Sequence, residues 1–180
     1  FVPDIPGVEK EGVFVYRTIE DLELIKEYAG KVKSGAVIGG GLLGLEAAKA
    51  LLDLGIRETH VIEFAQRLMP RQIDQAGSKM LQMKLSELGL NIHLNKSTSE
   101  ISGNGKIEAL NFSDDTSLPI EMLIISAGLR PRDEPARLGG IETGGPLANV
   151  AFGDDGRTLY LTSQHVLARV RAKARGLEFA

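Results

Sequence analysis

The chain has no cysteine and no tryptophan among its 180 residues. Without cysteine it holds no disulfide, thiolate metal site, cysteine-ligated iron–sulfur cluster or redox-active dithiol. The same absence fits a reducing compartment, and a cytoplasmic location is expected. Charge of neither sign dominates: 21 Lys+Arg stand against 24 Asp+Glu, giving a net charge of −3. That balance predicts neither a nucleic-acid partner nor an anionic membrane partner. No apolar run reaches membrane-spanning length, and no basic-then-apolar leader is seen. The three histidines, His60, His93 and His165, are isolated in sequence, so no metal site is expected. Walker loops, H-E-x-x-H and G-x-S-x-G are missing too.

Against these absences stands one dense signal. Ala36-Val37-Ile38 is an apolar run that leads into Gly39-Gly40-Gly41-Leu42-Leu43-Gly44, glycines spaced G-x-G-x-x-G. A helix pattern follows at once, rich in Leu and Ala. A second apolar run then ends in Glu63, nineteen positions beyond Gly44. Strand, glycine turn, helix, strand and acid, in that order, are the parts that grip a dinucleotide. Gly39 would allow the tight turn, Gly41 a close approach of backbone to diphosphate, and Gly44 close packing of helix on sheet. The amides that open the helix, at Leu42 and Leu43, would face the phosphates with the positive end of the helix dipole. Glu63 would accept hydrogen bonds from both hydroxyls of the adenosine ribose. A carboxylate there repels the 2′-phosphate of NADP, so NAD(H) is favoured, with Arg67 near enough to soften the preference.

The hydrophobic content of 43% supports one core of ordinary size and a small appendage. The spacing predicts a helix through Tyr28 after Thr18 or Asp21, a helix over 42–54, and a helix over about 75–88. Gly55 and Gly89 are the natural stops of the last two. Met80 and Met83 fall on the third helix and are expected to pack. Strands are expected at 13–16, 36–38, 59–64 and 91–94. Then 98–101, 106–112 and 118–120 read as an antiparallel meander in place of a crossover helix, with Asp114-Asp115 in a turn. Met122–Ser126 is a continuous apolar run, as a strand buried on both faces requires, ending in Ala127-Gly128. After Arg137 the composition shifts, with Gly139-Gly140 and Gly144-Gly145-Pro146 as a junction. Three short strands follow at 149–152, 158–162 and 166–171, the first turn being Asp154-Asp155-Gly156. Arg169, Arg171, Lys173 and Arg175 alternate, which on a strand gives one solvated face.

Several separated motifs then agree. They are Pro6-Gly7-Val8, Val15-Tyr16-Arg17-Thr18-Ile19-Glu20-Asp21, the loop Gly39–Glu46, Arg67-Leu68-Met69-Pro70-Arg71-Gln72-Ile73-Asp74, and Ser126-Ala127-Gly128-Leu129-Arg130-Pro131. Over residues 1–140 the chain resembles the FAD-dependent pyridine-nucleotide oxidoreductases, most closely the NAD(P)H nitrite reductase large subunits. The resemblance implies a Rossmann-like NAD-binding domain of α/β class, with a parallel sheet, helices on one side and a three-stranded meander on the other. It implies hydride transfer from NAD(H) to FAD. It adds Glu46, matched to a glutamate near the nicotinamide, Ala127 and Gly128 beside the bound cofactor, and Arg17, matched to an arginine facing the flavin.

The resemblance is incomplete. No second glycine fingerprint for FAD precedes Phe1, no counterpart of the family's G-D segment that holds the flavin ribityl chain is recognised past Arg130, and siroheme and cluster ligands are absent with the cysteines. FAD is therefore not expected to be held by this chain alone. The expected organisation is a lead-in at 1–34 from an FAD-domain edge, an NAD-binding domain at 35–130, a linker at 131–147 and a β appendage at 148–180. The chain reads as an internal piece whose partners are the nicotinamide dinucleotide and the missing FAD-domain segments of a longer protein. An alternative is a non-catalytic dinucleotide-binding fragment. Its tail, Asn149–Thr162, weakly resembles a blade segment of a gluconolactonase-type β-propeller, and one blade cannot close a propeller.

Overall fold

The structure, a computed structural model, describes residues 3–16, 18–128, 147–152, 158–163 and 166–171. Arg17, the 131–146 junction with the Arg130-Pro131 motif before it, the Asp154-Asp155-Gly156 turn, His165, Lys173 and Arg175 lie outside the described residues. The chain divides into two units, Phe1–Arg130 and Pro131–Ala180.

The first unit is built on a five-stranded parallel sheet. Its strands are β1 (Val13–Val15), β2 (Ser34–Ile38), β3 (Glu58–Ile62), β4 (Leu90–His93) and β8 (Leu123–Ile125), in spatial order β1-β8-β2-β3-β4. Three more strands, β5 (Thr98–Ser102), β6 (Ala109–Phe112) and β7 (Ser117–Pro119), form the antiparallel meander. Helices α1 (Ile19–Ala29), α2 (Leu42–Asp53) and α3 (Gln75–Glu87) end close to their expected limits.

Alternation along the central strands explains why they are apolar throughout. Val37 and Ile124 point into a cluster with Ala48 and Leu51 of α2 and Ile25 of α1. Ala36, Leu123 and Ile125 point the other way, onto Leu110, Phe112 and Ile120 of the meander region. Each fully buried Leu or Ile contributes about 1.5–3 kcal/mol by leaving water, so both covers are held by the same short strands. The lead-in joins this unit directly, because Val13, Phe14 and Val15 pair with Leu123, Ile124 and Ile125 at the sheet edge.

The helix starts differ in one informative way. Thr18 caps α1 through a capping box, its hydroxyl accepting from the Asp21 amide at 3.2 Å while the Asp21 carboxylate accepts from the Thr18 amide at 3.0 Å. Asp74 caps α3, accepting from the Gly77 amide at 2.8 Å. Helix α2 opens on Gly41 with no side-chain cap. On α3, Leu81 and Leu85 take the buried face. Met80 and Met83 lie on the other side of the helix, 68% and 57% exposed, so the expected packing of both is corrected.

The second unit contains β9 (Leu147–Phe152), β10 (Thr158–Ser163) and β11 (Val166–Arg171), antiparallel in the order β11-β10-β9. Arg169 and Arg171 share an exposed face, opposite Tyr160 and Thr158.

Candidate functional site

The turn after β2 is fixed by contacts that only glycine permits. Gly39 adopts φ 123°, and a Cβ there would lie 2.4 Å from the Ser126 carbonyl oxygen. Gly44 presses α2 against the same turn, since its Cβ would lie 1.9 Å from the Gly39 carbonyl oxygen. Gly41 is different: it has an ordinary φ of −84°, and a Cβ would meet nothing within 4 Å. Its open side is a cavity of about 640 Å³. The first helical bond of α2 runs from the Leu45 amide to the Gly41 carbonyl at 3.0 Å. The amides of Leu42, Leu43 and Gly44 precede that bond, and no side chain caps them.

Glu63 is tied to this loop. One carboxylate oxygen accepts from the Gly40 amide at 2.6 Å and the other from the Ala65 amide at 2.7 Å. The side chain thus points to the glycine turn, and each oxygen retains a lone pair for a further donor. The Gly40 carbonyl accepts from the Met69 amide at 3.0 Å. Met69 has φ 47°, an uncommon left-handed conformation for a side chain of its size. That turn carries Pro70, Arg71 and Gln72 into the cavity wall.

The cavity follows the carboxyl ends of the sheet in spatial order. Tyr16 stands beyond β1, Ala127 and Gly128 beyond β8, and Gly39, Gly41, Leu42, Leu43 and Gly44 at the end of β2. Glu63 and Phe64 stand beyond β3, and Lys96 beyond β4. Five strands at roughly 4.8 Å spacing span about 19 Å, which suits an extended ligand. Ligands of open α/β sheets bind at this edge, where strand order reverses.

Two residues singled out in the sequence lie elsewhere. Glu46 follows Gly44 by two positions, about 200° around the helix, and is exposed in a shallow groove with Lys49 and Asp53. Arg67 donates from Nη2 to the Pro70 carbonyl at 3.1 Å and is not in the cavity wall. The arginine that does line the cavity is Arg71, which has no hydrogen-bond or ion-pair partner among the described residues. The ammonium of Lys96 is engaged by Asp114 and Thr116, over the Phe112 ring. It holds the Asp114 carboxyl down to about 2. Sequence reading missed Phe64, Arg71, Gln72 and Lys96. The carboxyl-end rule for α/β sheets was the signal that could have found them.

Pairing of β3 with β4 brings together two histidines that are isolated in sequence. His60 Nδ1 lies 3.0 Å from His93 Nε2, and Glu58 sits 3.8 Å from His60 Nε2. One proton between the facing nitrogens makes a bond; a proton on each sets N–H against N–H. Burial lowers both histidines, helped at His60 by His93 and at His93 by Lys96, while Glu58 opposes the shift at His60. The folded state therefore favours the neutral pair. Its stability contribution is whole above the ordinary histidine value of 6.5 and is lost as pH falls through the lowered folded values. The thermal midpoint is expected to drop between pH 7 and pH 5, and His93→Asn should flatten that slope. An equally steep slope in the variant would contradict this assignment. Among the described residues no group of three or more His, Asp or Glu side chains is arranged to hold a metal. No described helix is long and apolar enough to cross a membrane.

Sheet order, glycine turn and meander together define a Rossmann-like domain. The chain belongs to the pyridine nucleotide-disulphide oxidoreductase family, whose model matches residues 1–159. It is 54% identical over 144 residues to the nitrite reductase [NAD(P)H] large subunit of Klebsiella oxytoca, covering 80% of this chain and 15% of that protein. It is 45% identical over 161 residues to the nitrite reductase (NADH) large subunit of Escherichia coli, covering 88% and 19%. The chain thus spans less than a fifth of these relatives. A ferredoxin reductase from Rhodopseudomonas palustris superposes with a TM-score of 0.72 at 27% identity, over 78% of this chain and 35% of that one. An NAD-dependent persulfide reductase from A. fulgidus gives 0.71 at 26%, over 87% and 27%.

Proposed function

We propose that the cavity binds NAD(H), with the diphosphate on the amides of Leu42 and Leu43 and the adenosine ribose on Glu63. The observation that carries this reading is the uncapped start of α2, opening on a cavity beside a carboxylate tied to the same loop. Gly41 leaves room for the diphosphate and lets the backbone meet it. Glu63 is held in place before any ligand arrives, so its orientation costs nothing at binding. A 2′-phosphate would meet that carboxylate, while Arg67 is spent on the Pro70 carbonyl. NADH is therefore preferred over NADPH.

The chain is proposed to be the NADH-docking portion of an NADH-dependent flavin oxidoreductase like the nitrite reductase large subunits. Bound there, NADH supplies a hydride for transfer to FAD. Ala127 and Gly128, at the end of the wall away from Glu63, leave the nicotinamide bounded by backbone and a methyl group. The described residues build one glycine-loop cradle. A second dinucleotide, FAD, would be held by other segments of a longer protein. We place this chemistry in the cytoplasm, in keeping with the cysteine-free composition.

A second reading, favoured by the single glycine-loop cradle among the described residues, is a module that binds NAD(H) and turns nothing over by itself. Adding FAD and NADH to the chain joined to its FAD-holding segments separates the two: flavin bleaching supports the catalytic reading, and unbleached flavin the binding module.

Glu63→Gln tests the assigned ribose contact. An amide has one acceptor oxygen, so either the Gly40 or the Ala65 N–H would face an NH2 group. The expected loss is about 1–3 kcal/mol of stability together with roughly tenfold weaker NADH binding, read by thermal melting and titration calorimetry. Unchanged NADH affinity would remove Glu63 from the site.

A further inference from the structure

We infer that Phe64 is the platform on which the adenine of the dinucleotide stacks, an inference that rests on Glu63 being the ribose carboxylate. Phe64 is 77% exposed, more than any other large apolar side chain that stands out to solvent among the described residues. Its exposure is not that of a loose loop. The Glu63 amide donates to the His93 carbonyl at 2.9 Å, and the Glu63 carbonyl accepts from the Lys96 amide at 3.0 Å. On the other side, the Ala65 amide donates to Glu63 Oε1 at 2.7 Å, and its carbonyl accepts from the Asn95 amide at 3.1 Å. The backbone is pinned before and after the ring, so an aromatic face is held out in the cavity wall by design of the strand ends.

Position decides which part of a ligand it meets. Phe64 follows Glu63 at the end of β3, whereas Ala127 and Gly128 follow β8, with β2 between them. The base attached to the ribose on Glu63 is adenine, so adenine is the group within reach. Arg71 lines the same cavity without a partner among the described residues, and its flat guanidinium suits the second face of the base. Stacking takes apolar surface of both the base and the ring out of water.

Phe64→Ala and Phe64→Trp test this in the chain as it stands, by NADH titration beside thermal melting. Loss of one stacked base corresponds to roughly 5- to 150-fold weaker binding. Phe64→Ala is expected to lose that much with an unchanged melting midpoint, since the exposed ring packs on little in the free protein. Phe64→Trp is expected to match or exceed the starting affinity. Wild-type affinity in Phe64→Ala, or equal losses in both variants, would overturn the stacking role while leaving NADH at the site. Failure of the unaltered chain to bind NADH would overturn the site itself.

Discussion

Gly41→Asp is expected to give a chain that is more stable and no longer binds NADH. The two effects have one cause. Position 41 has φ −84° and ψ 179°, an extended conformation open to any residue, and an added Cβ touches nothing. An aspartate there would cap α2 as Asp74 already caps α3. The cap over glycine is worth a few tenths of a kcal/mol, the carboxylate at the helix start roughly 0.3–1 kcal/mol, and loss of glycine freedom in the unfolded chain about 0.4–1 kcal/mol. Together they raise stability by about 1 kcal/mol, or roughly 3 °C in the melting midpoint. The same carboxylate would occupy the amides proposed for the diphosphate and repel it, and like charges so placed cost several kcal/mol. Binding should weaken at least ~100-fold. Retained NADH binding in this variant would place the diphosphate elsewhere.

Gly44→Ala should fail in the opposite way, through the fold. Its methyl would lie 1.9 Å from the Gly39 carbonyl oxygen, a distance no repacking of side chains relieves because both partners are backbone. Moving Gly39 is resisted in turn, because its amide donates to the Ile62 carbonyl at 2.8 Å. Overpacking of this kind costs about 1–3 kcal/mol or more. The melting midpoint should fall by several degrees, and NADH binding should fall with it as the loop is displaced. Wild-type stability in this variant would mean that α2 does not bear on the turn as described.

Much of this is legible in the sequence. Helix limits followed from Thr18, Asp21, Gly55 and Gly89, and the buried strands from their unbroken apolar runs. The run at Ala36–Ile38 lacks alternation because Val37 faces helices while Ala36 and Ile38 face the meander side. What could not be read depends on contacts distant in sequence. His60 and His93 meet only through the register of β3 on β4. The choice between Arg67 and Arg71 turns on one left-handed residue, Met69, whose φ no residue type announces. Met80 and Met83 carry helix spacing, but Leu81 and Leu85 had already filled the face that packs. Phe64 looked like the end of a strand; β3 stops at Ile62, and the ring stands free beyond it.

Amide chemical shifts of the isotopically labelled chain during NADH titration address the proposed diphosphate cradle most directly. The largest displacements are expected at Gly41, Leu42 and Leu43, with smaller ones at Gly40 and Phe64. Saturation with NADH that leaves the three helix-start amides where they were would contradict the account.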